Sequence, residues 1–324
     1  MKTNKTKVNG VNELFGKQAR DLRKLLRSFE DTLDARGFDQ LIPGILSSDE
    51  IFRQNLDFLG NRFMDNLVYA DVNGEKNIVI LPEGTMRTYD FIKRNRLDQA
   101  KIFYNEQFVR NEPLEEVEKG KTRAFYQTGF EIFNYPLIES GVEAMTTVYE
   151  LIKNAGIDDI VIRMADKRLI SGLLQQYTCE DKKIIQKIMD KADDSPIKFE
   201  RLYKLNGGKD PNIKHMIAFI EMGLDRNLSL TDLAKFDGSK IYHDGLHDLY
   251  QIQSNISREV KLEILPFMAK SWDACDRLLF DARSLRYNGA LAGGGNLTYG
   301  AYEKSCPKSG AGLGTTRIFE LLQK

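Results

Sequence analysis

Three cysteines, three histidines and one tryptophan are few for 324 residues, and the formal net charge is zero. The cysteines (Cys179, Cys275 and Cys306) form no CxxC pair. An odd number at such spacing supplies neither a disulfide framework nor a zinc ligand set, and it suits the reduced thiols of a cytoplasmic protein. His243 and His247 stand four apart and His215 stands alone, without the acidic partner of a HExxH helix. No metal site is expected from them. No apolar run approaches the roughly 18 residues of a membrane span. The N-terminus, MKTNKTKVNGVNELFG, has no apolar signal-peptide core. Because 47 Lys and Arg balance 47 Asp and Glu, the whole chain exerts no general pull on nucleic acid. These absences point to a soluble cytoplasmic protein and argue against both a membrane and tRNA as partners.

The content that is present describes a folded chain. It is 42% hydrophobic and 29% charged, enough to bury one large core or two domains. Residues 1–12 read as a polar tail. Ala19, Leu22, Leu26, Phe29 and Leu33 form a helical stripe, with Gly37 as its stop. Phe38 to Pro43 reads as a short extended piece. Strands are expected at Asn77–Leu81, Lys101–Arg110 and Arg123–Phe133. In the last, period-two alternation puts Phe125, Gln127, Gly129 and Glu131 on one face. The two longer strands make an antiparallel hairpin with a charged loop, Asn111 to Thr122, at its tip. A helix at 142–155 and a buried strand at Ile160–Ile162 follow. Residues from about 167 to about 250 then turn helical and charged, before further apolar and glycine-rich segments and a last helix from about Thr315. The fold class expected is α+β: an antiparallel sheet flanked by helices, spanning 13–324 and interrupted by a helical insertion.

Three segments carry candidate chemistry. On the hairpin, Arg110, Glu112, Arg123 and Glu131 combine arginine forks that suit phosphate with carboxylates that suit magnesium or an amino group. The same residues also suit a surface hairpin with scattered ion pairs. Ser309 to Arg317 holds three glycines ahead of a helix, with Arg317 in its first turn. It is neither a P-loop nor a dinucleotide fingerprint, and close helix–sheet packing would explain it equally. Leu291 to Asn296, with Gly293, Gly294 and Gly295, suits the floor of a small-molecule pocket or a flexible turn.

In order, these segments resemble the class II histidyl-tRNA synthetase family over about residues 13–165 and 260–324. Phe38–Pro43 resembles motif 1, which in that family builds a homodimer interface. Pro82-Glu83-Gly84-Thr85 matches its PEGT turn, whose Glu and Thr contact an amino acid's ammonium group. Phe108–Glu112 with Gly120–Glu131 resembles motif 2, and Gly310–Arg317 resembles motif 3. The resemblance implies ATP with Mg2+ as cofactor. It places Arg110, Glu112, Arg123 and Arg317 around ATP, with Arg110, Lys270 and Arg317 in catalytic positions. Glu83, Thr85, Gln127, Glu131, Asp273, Gly293 and Gly294 fall at the amino acid.

Departures accompany the match. Where the family has Arg-Gly-Leu-Asp-Tyr-Tyr, this chain reads Lys270-Ser271-Trp272-Asp273-Ala274-Cys275. Lysine keeps the charge and loses the bidentate fork, and both imidazole-recognising tyrosines are gone. The family's GGGRYD reads Gly293-Gly294-Gly295-Asn296-Leu297-Thr298. The sequence stops at Lys324, one helix after motif 3, where a synthetase continues into an anticodon-binding domain. That organisation resembles the ATP phosphoribosyltransferase regulatory subunit, a synthetase paralogue that partners a short catalytic subunit in histidine biosynthesis. Three functions are therefore expected in order: a regulatory, amino-acid-binding subunit; an enzyme adenylating an amino acid other than histidine; and a histidine–tRNA ligase.

Overall fold

The structure, a computed structural model, describes residues 6–59, 61–192, 195–268, 275–297 and 306–323. Its described strands, in chain order, are β1 (Asp39–Gln40), β2 (Leu46–Ser48), β3 (Val68–Val72), β4 (Glu75–Ile80), β5 (Ala100–Val109), β6 (Ala124–Phe133), β7 (Ile160–Asp166), β8 (Leu262–Ile264), β9 (Cys275–Ser284), β10 (Ala292–Leu297) and β11 (Lys308–Leu313). Eight of them form one sheet in the order β1-β5-β6-β11-β10-β9-β7-β8, while β2-β4-β3 form a small second sheet. The outer pairs β1–β5 and β7–β8 are parallel, and every pair between them is antiparallel.

One face of the large sheet is covered by helices. The expected stripe becomes the helix Lys17–Ala35, with Leu22, Leu25, Phe29 and Leu33 buried. Removing each such side chain from water contributes about 1.5–3 kcal/mol. The helix ends as Gly37 predicts: Gly37 N–H donates to Asp34 O and Phe38 N–H to Leu33 O, a Schellman closure with Gly37 at φ +77°. Beside it lies Leu137–Asn154, which starts five residues before the expected 142. Its buried Ala144, Met145, Val148 and Leu151 join Phe103, Phe130 and Ile132 of the hairpin in one core. The helical stretch after β7 runs from Lys167 to Asn255, and its Phe199, Phe219 and Tyr242 belong to that same core. It is therefore packed onto the sheet rather than hung from it.

Three local expectations change. The hairpin tip is not all loop, because Leu114–Glu118 forms a short helix. Both glycine-rich segments are strands, β10 and β11, instead of turns. Their backbones satisfy one another in a ladder, which glycine permits when its neighbours supply the packing. Within the expected polar tail, Gly10 is also tied down, since its O accepts hydrogen bonds from the N–H groups of Arg123 and Ala124.

Candidate amino-acid and phosphate site

The second face of the large sheet carries the candidate residues. Register brings Tyr104, Gly129, Gly312, Gly293 and Asp281 into one row across β5, β6, β11, β10 and β9. The neighbouring row is Ile102, Glu131, Gly310, Gly295 and Leu279. Three adjacent glycines in the first row make a floor without side chains, about 10 Å wide at normal strand spacing. One glycine of each row seats a protein side chain: a Cβ at Gly129 would lie 2.2 Å from the Tyr104 hydroxyl, and one at Gly310 in the neighbouring row would lie 2.3 Å from Glu131 Oε2. Gly312 lies under Gln127, whose Nε2 would be 3.1 Å from a Cβ there. Thus Tyr104, Gln127 and Glu131 lie close against the sheet because their neighbours are glycine.

Gly294 does not belong to this floor. A Cβ there would meet Phe280 and Ala311, both members of the helix-covered core. Alternation along β10 turns it away from Gly293. The row closes on Asp281, which Arg163 holds through two bonds of 2.8 and 2.6 Å. Lys270 and Asp273, and the Trp272 between them, lie outside the described residues.

Two carboxyls are buried above the floor. Glu83 takes N–H donors from Thr85 (2.8 Å) and Met86 (2.9 Å). It thereby caps the helix Thr85–Arg94, whose own N-cap, Gly84, has no side chain to do so. Burial is the main cause that pushes the Glu83 carboxyl up to about 7, against the N–H bonds and the Arg110 charge. Glu131 is 1% exposed, and its Oε2 accepts from the Tyr89 hydroxyl at 3.1 Å. Burial raises it to about 8, with the Glu83 charge adding to the rise and Thr85 and Tyr89 opposing it. Tyr104 is held above its ordinary value, first by burial and then by Glu131 and Glu83. Its hydroxyl lies 3.4 Å from both Thr85 Oγ1 and Gln127 Nε2. Two buried carboxyls beside hydroxyl and amide groups favour a ligand that brings a positive charge.

The arginines gather at the hairpin's open end. Arg110 donates from Nε to Pro82 O (2.9 Å), and its guanidinium stacks 5.0 Å from the Phe125 ring centre. Burial depresses its pKa, while Glu83 and Glu112 oppose that and the charge of Arg317 adds to it. Arg110 and Arg317 thus repel one another as like charges, which a bound anion would relieve. Arg123 donates from Nε to Glu112 O (2.9 Å) and from Nη1 to Asn9 O (3.3 Å). Arg317 is exposed and donates from Nη1 to Ala290 O (3.0 Å). Glu112 is buried, with Lys121 Nζ 3.4 Å from its Oε2. Among the described residues no three His, Cys, Asp or Glu side chains gather to hold a metal ion.

Residue pattern alone did not single out Tyr104, Tyr89 or the Arg163–Asp281 pair. One signal was present for Tyr104: in the expected hairpin an aromatic residue stands opposite a glycine. The others depend on strands and helices far apart in sequence.

A family model for histidyl-tRNA synthetase matches residues 10–317. Among curated proteins, the chain is 23% identical over 265 residues to a histidine–tRNA ligase of Francisella philomiragia, covering 78% of this chain and 60% of that protein. It is 22% identical over 334 residues to the histidine–tRNA ligase of Thermococcus kodakarensis, covering 98% and 74%. A solved structure from Bacillus halodurans, described as an ATP phosphoribosyltransferase regulatory subunit/histidyl-tRNA synthetase, superposes with a TM-score of 0.82 at 11% identity, covering 98% of this chain and 83% of that one. The sheet flanked by helices is thus the α+β architecture of these synthetase-like proteins. Among the described residues no helix is long and apolar enough to cross a membrane.

Proposed function

We propose, from the premise that the chain belongs to the histidyl-tRNA synthetase family, that it is an amino-acid-binding regulatory subunit, and that its partner is a short-form ATP phosphoribosyltransferase catalytic subunit. The observation that carries the binding half is Glu131. This carboxyl is 1% exposed, lies flat over Gly310 and is bonded by Tyr89. An α-ammonium group entering here would ionise Glu131 and pair with it, with Thr85, Gln127 and Tyr104 supplying further polar contacts. Gly293, next to Gly312 in its row, adds no side chain of its own where the ligand's backbone would lie. The regulatory half is supported by likeness to the Bacillus halodurans protein along nearly the whole chain. Arg123 supports it too, since two of its guanidinium nitrogens are engaged by main-chain carbonyls. Lys270, standing where the family has a catalytic arginine, weakens any transfer chemistry.

A second function, adenylation of an amino acid other than histidine, is favoured by Arg110 and Arg317. The donor set fits a polyphosphate: two guanidinium groups that feel one another, one half-buried and one exposed. When bound, MgATP would supply the electrophilic α-phosphorus and the leaving pyrophosphate. Arg110 would hold and orient the phosphates, with Glu112 as the carboxylate available to the ion.

Amino-acid-dependent exchange of pyrophosphate into ATP, run across the twenty amino acids, separates these two functions. Exchange with any of them overturns the regulatory assignment. Silence across the panel, together with co-purification of a phosphoribosyltransferase, supports it.

A further inference from the structure

Strand β6 is longer than its neighbour. β11 stops at Leu313, opposite Thr128, so the first residues of β6 have no strand on that side. Every second N–H of a strand points toward a given neighbour, and a donor left unpaired there would be costly. Three groups that are not strand backbone take these donors. Thr315 Oγ1 accepts from Thr128 N–H at 2.9 Å, and Thr316 Oγ1 accepts from Tyr126 N–H at 2.8 Å. Gly10 O accepts from Ala124 N–H at 3.4 Å and, just ahead of the strand, from Arg123 N–H at 2.7 Å.

Each acceptor belongs to a segment that carries or holds one of the arginines. Thr315 and Thr316 open the helix in which Arg317 is the third residue. Asn9, next to Gly10, accepts from Arg123 Nη1. Gly10 sits at φ +80°, a conformation that favours glycine, and a Cβ there would lie tightly, 3.1 Å from Arg123 Cγ and 3.2 Å from Val117 Cγ2. The Thr315 contact is buttressed from behind. The Thr315 and Thr128 hydroxyls are 2.8 Å apart, Thr128 donates to Asn105 Oδ1 (2.8 Å), and Asn105 Nδ2 donates to Glu30 (3.0 Å) on the first helix.

We propose that Gly10, Thr315 and Thr316 are positioning residues. They clamp the open edge of β6 and thereby set Arg123 and Arg317 relative to Gln127 and Glu131 on that same strand. The proposal rests on the nucleotide-binding role given above to Arg110 and Arg317.

Thr316 is the residue to test, because its hydroxyl contacts the strand and its side chain lies outside the core cluster. In Thr316→Val, amide exchange at Tyr126 is expected to speed up by roughly fivefold or more, the factor for one neutral hydrogen bond. MgATP affinity, measured by calorimetry, is expected to fall by a similar factor. Thr316→Ser is expected to restore both. Gly10→Ala should reproduce the effect at the Arg123 and Ala124 amides. Faster exchange with unchanged MgATP affinity would overturn the positioning role. So would wild-type exchange at Tyr126 in Thr316→Val, provided Arg110→Ala still abolishes MgATP binding. A wild-type chain that takes up no MgATP would instead refute the nucleotide assignment, and the positioning role with it.

Discussion

Glu83 and Glu131 are buried and receive N–H and O–H donors from their own surroundings, whereas Arg110, Arg123 and Arg317 give donors to main-chain carbonyls. In the first half, burial opposes the charge, and both carboxyls rise toward neutral pH. In the second, main-chain carbonyls fix the arginines in place. The difference teaches which partner each half awaits. A buried acid that resists ionisation is completed by a cation; like charges that repel one another are completed by an anion. An α-amino acid and a polyphosphate are the partners proposed above for the two halves.

The largest expected effect breaks the anion half. Arg110→Ala should abolish MgATP binding, a loss of at least about a hundredfold, because a charge-assisted contact disappears and Glu83 loses its compensating charge. Arg317→Ala should follow it in direction. Calorimetry on both variants checks this, and wild-type affinity in either would remove that arginine from the site.

Next comes the cation half. Glu131→Gln should weaken amino-acid binding by roughly tenfold or more. It should also change the pH response of the empty protein. Stability from the protonated Glu131 is fully present below about 4.5, its ordinary value, and is lost as pH rises through about 8. Glutamine mimics the protonated form. The melting temperature of Glu131→Gln relative to wild type should therefore climb between pH 5 and pH 8, and a flat difference would contradict the burial argument. Binding of an amino acid at pH 7 should release protons, which calorimetry in buffers of different ionisation enthalpy detects.

A smaller effect probes the floor shared by both halves. Gly129→Ala places a methyl against the Tyr104 ring and should cost about 1–3 kcal/mol of stability, read from denaturant unfolding. The smallest is at the hairpin tip. Lys121 pairs with Glu112 and Glu116 and is 46% exposed, so Lys121→Ala should leave the melting temperature within about 1 °C of wild type.

Much of this arrangement was legible in local pattern. Alternation along β6 put Phe125, Gln127, Gly129 and Glu131 on one face, and register confirms the shared face for Glu131 and Gly129. Gly37 closed its helix as expected, and Arg110 and Arg123 meet across the hairpin, where Arg110 N–H donates to Arg123 O. Local pattern failed where two distant segments had to be placed side by side. It could not show that Tyr89 bonds Glu131, that a side chain at Gly294 would meet Phe280 and Ala311, or that Asn9 and Gly10 fasten Arg123.

The sequence by itself determined the family, the helix and strand periods, and the residue types on the functional face, because period and turn chemistry act over a few residues. The tertiary structure alone decided what those residues do to one another. Tyr104 lies over Gly129, Glu131 over Gly310, and Gly10 and Thr316 complete the edge of β6. Each of these depends on the register between chain segments far apart, which is set by the burial of the whole core.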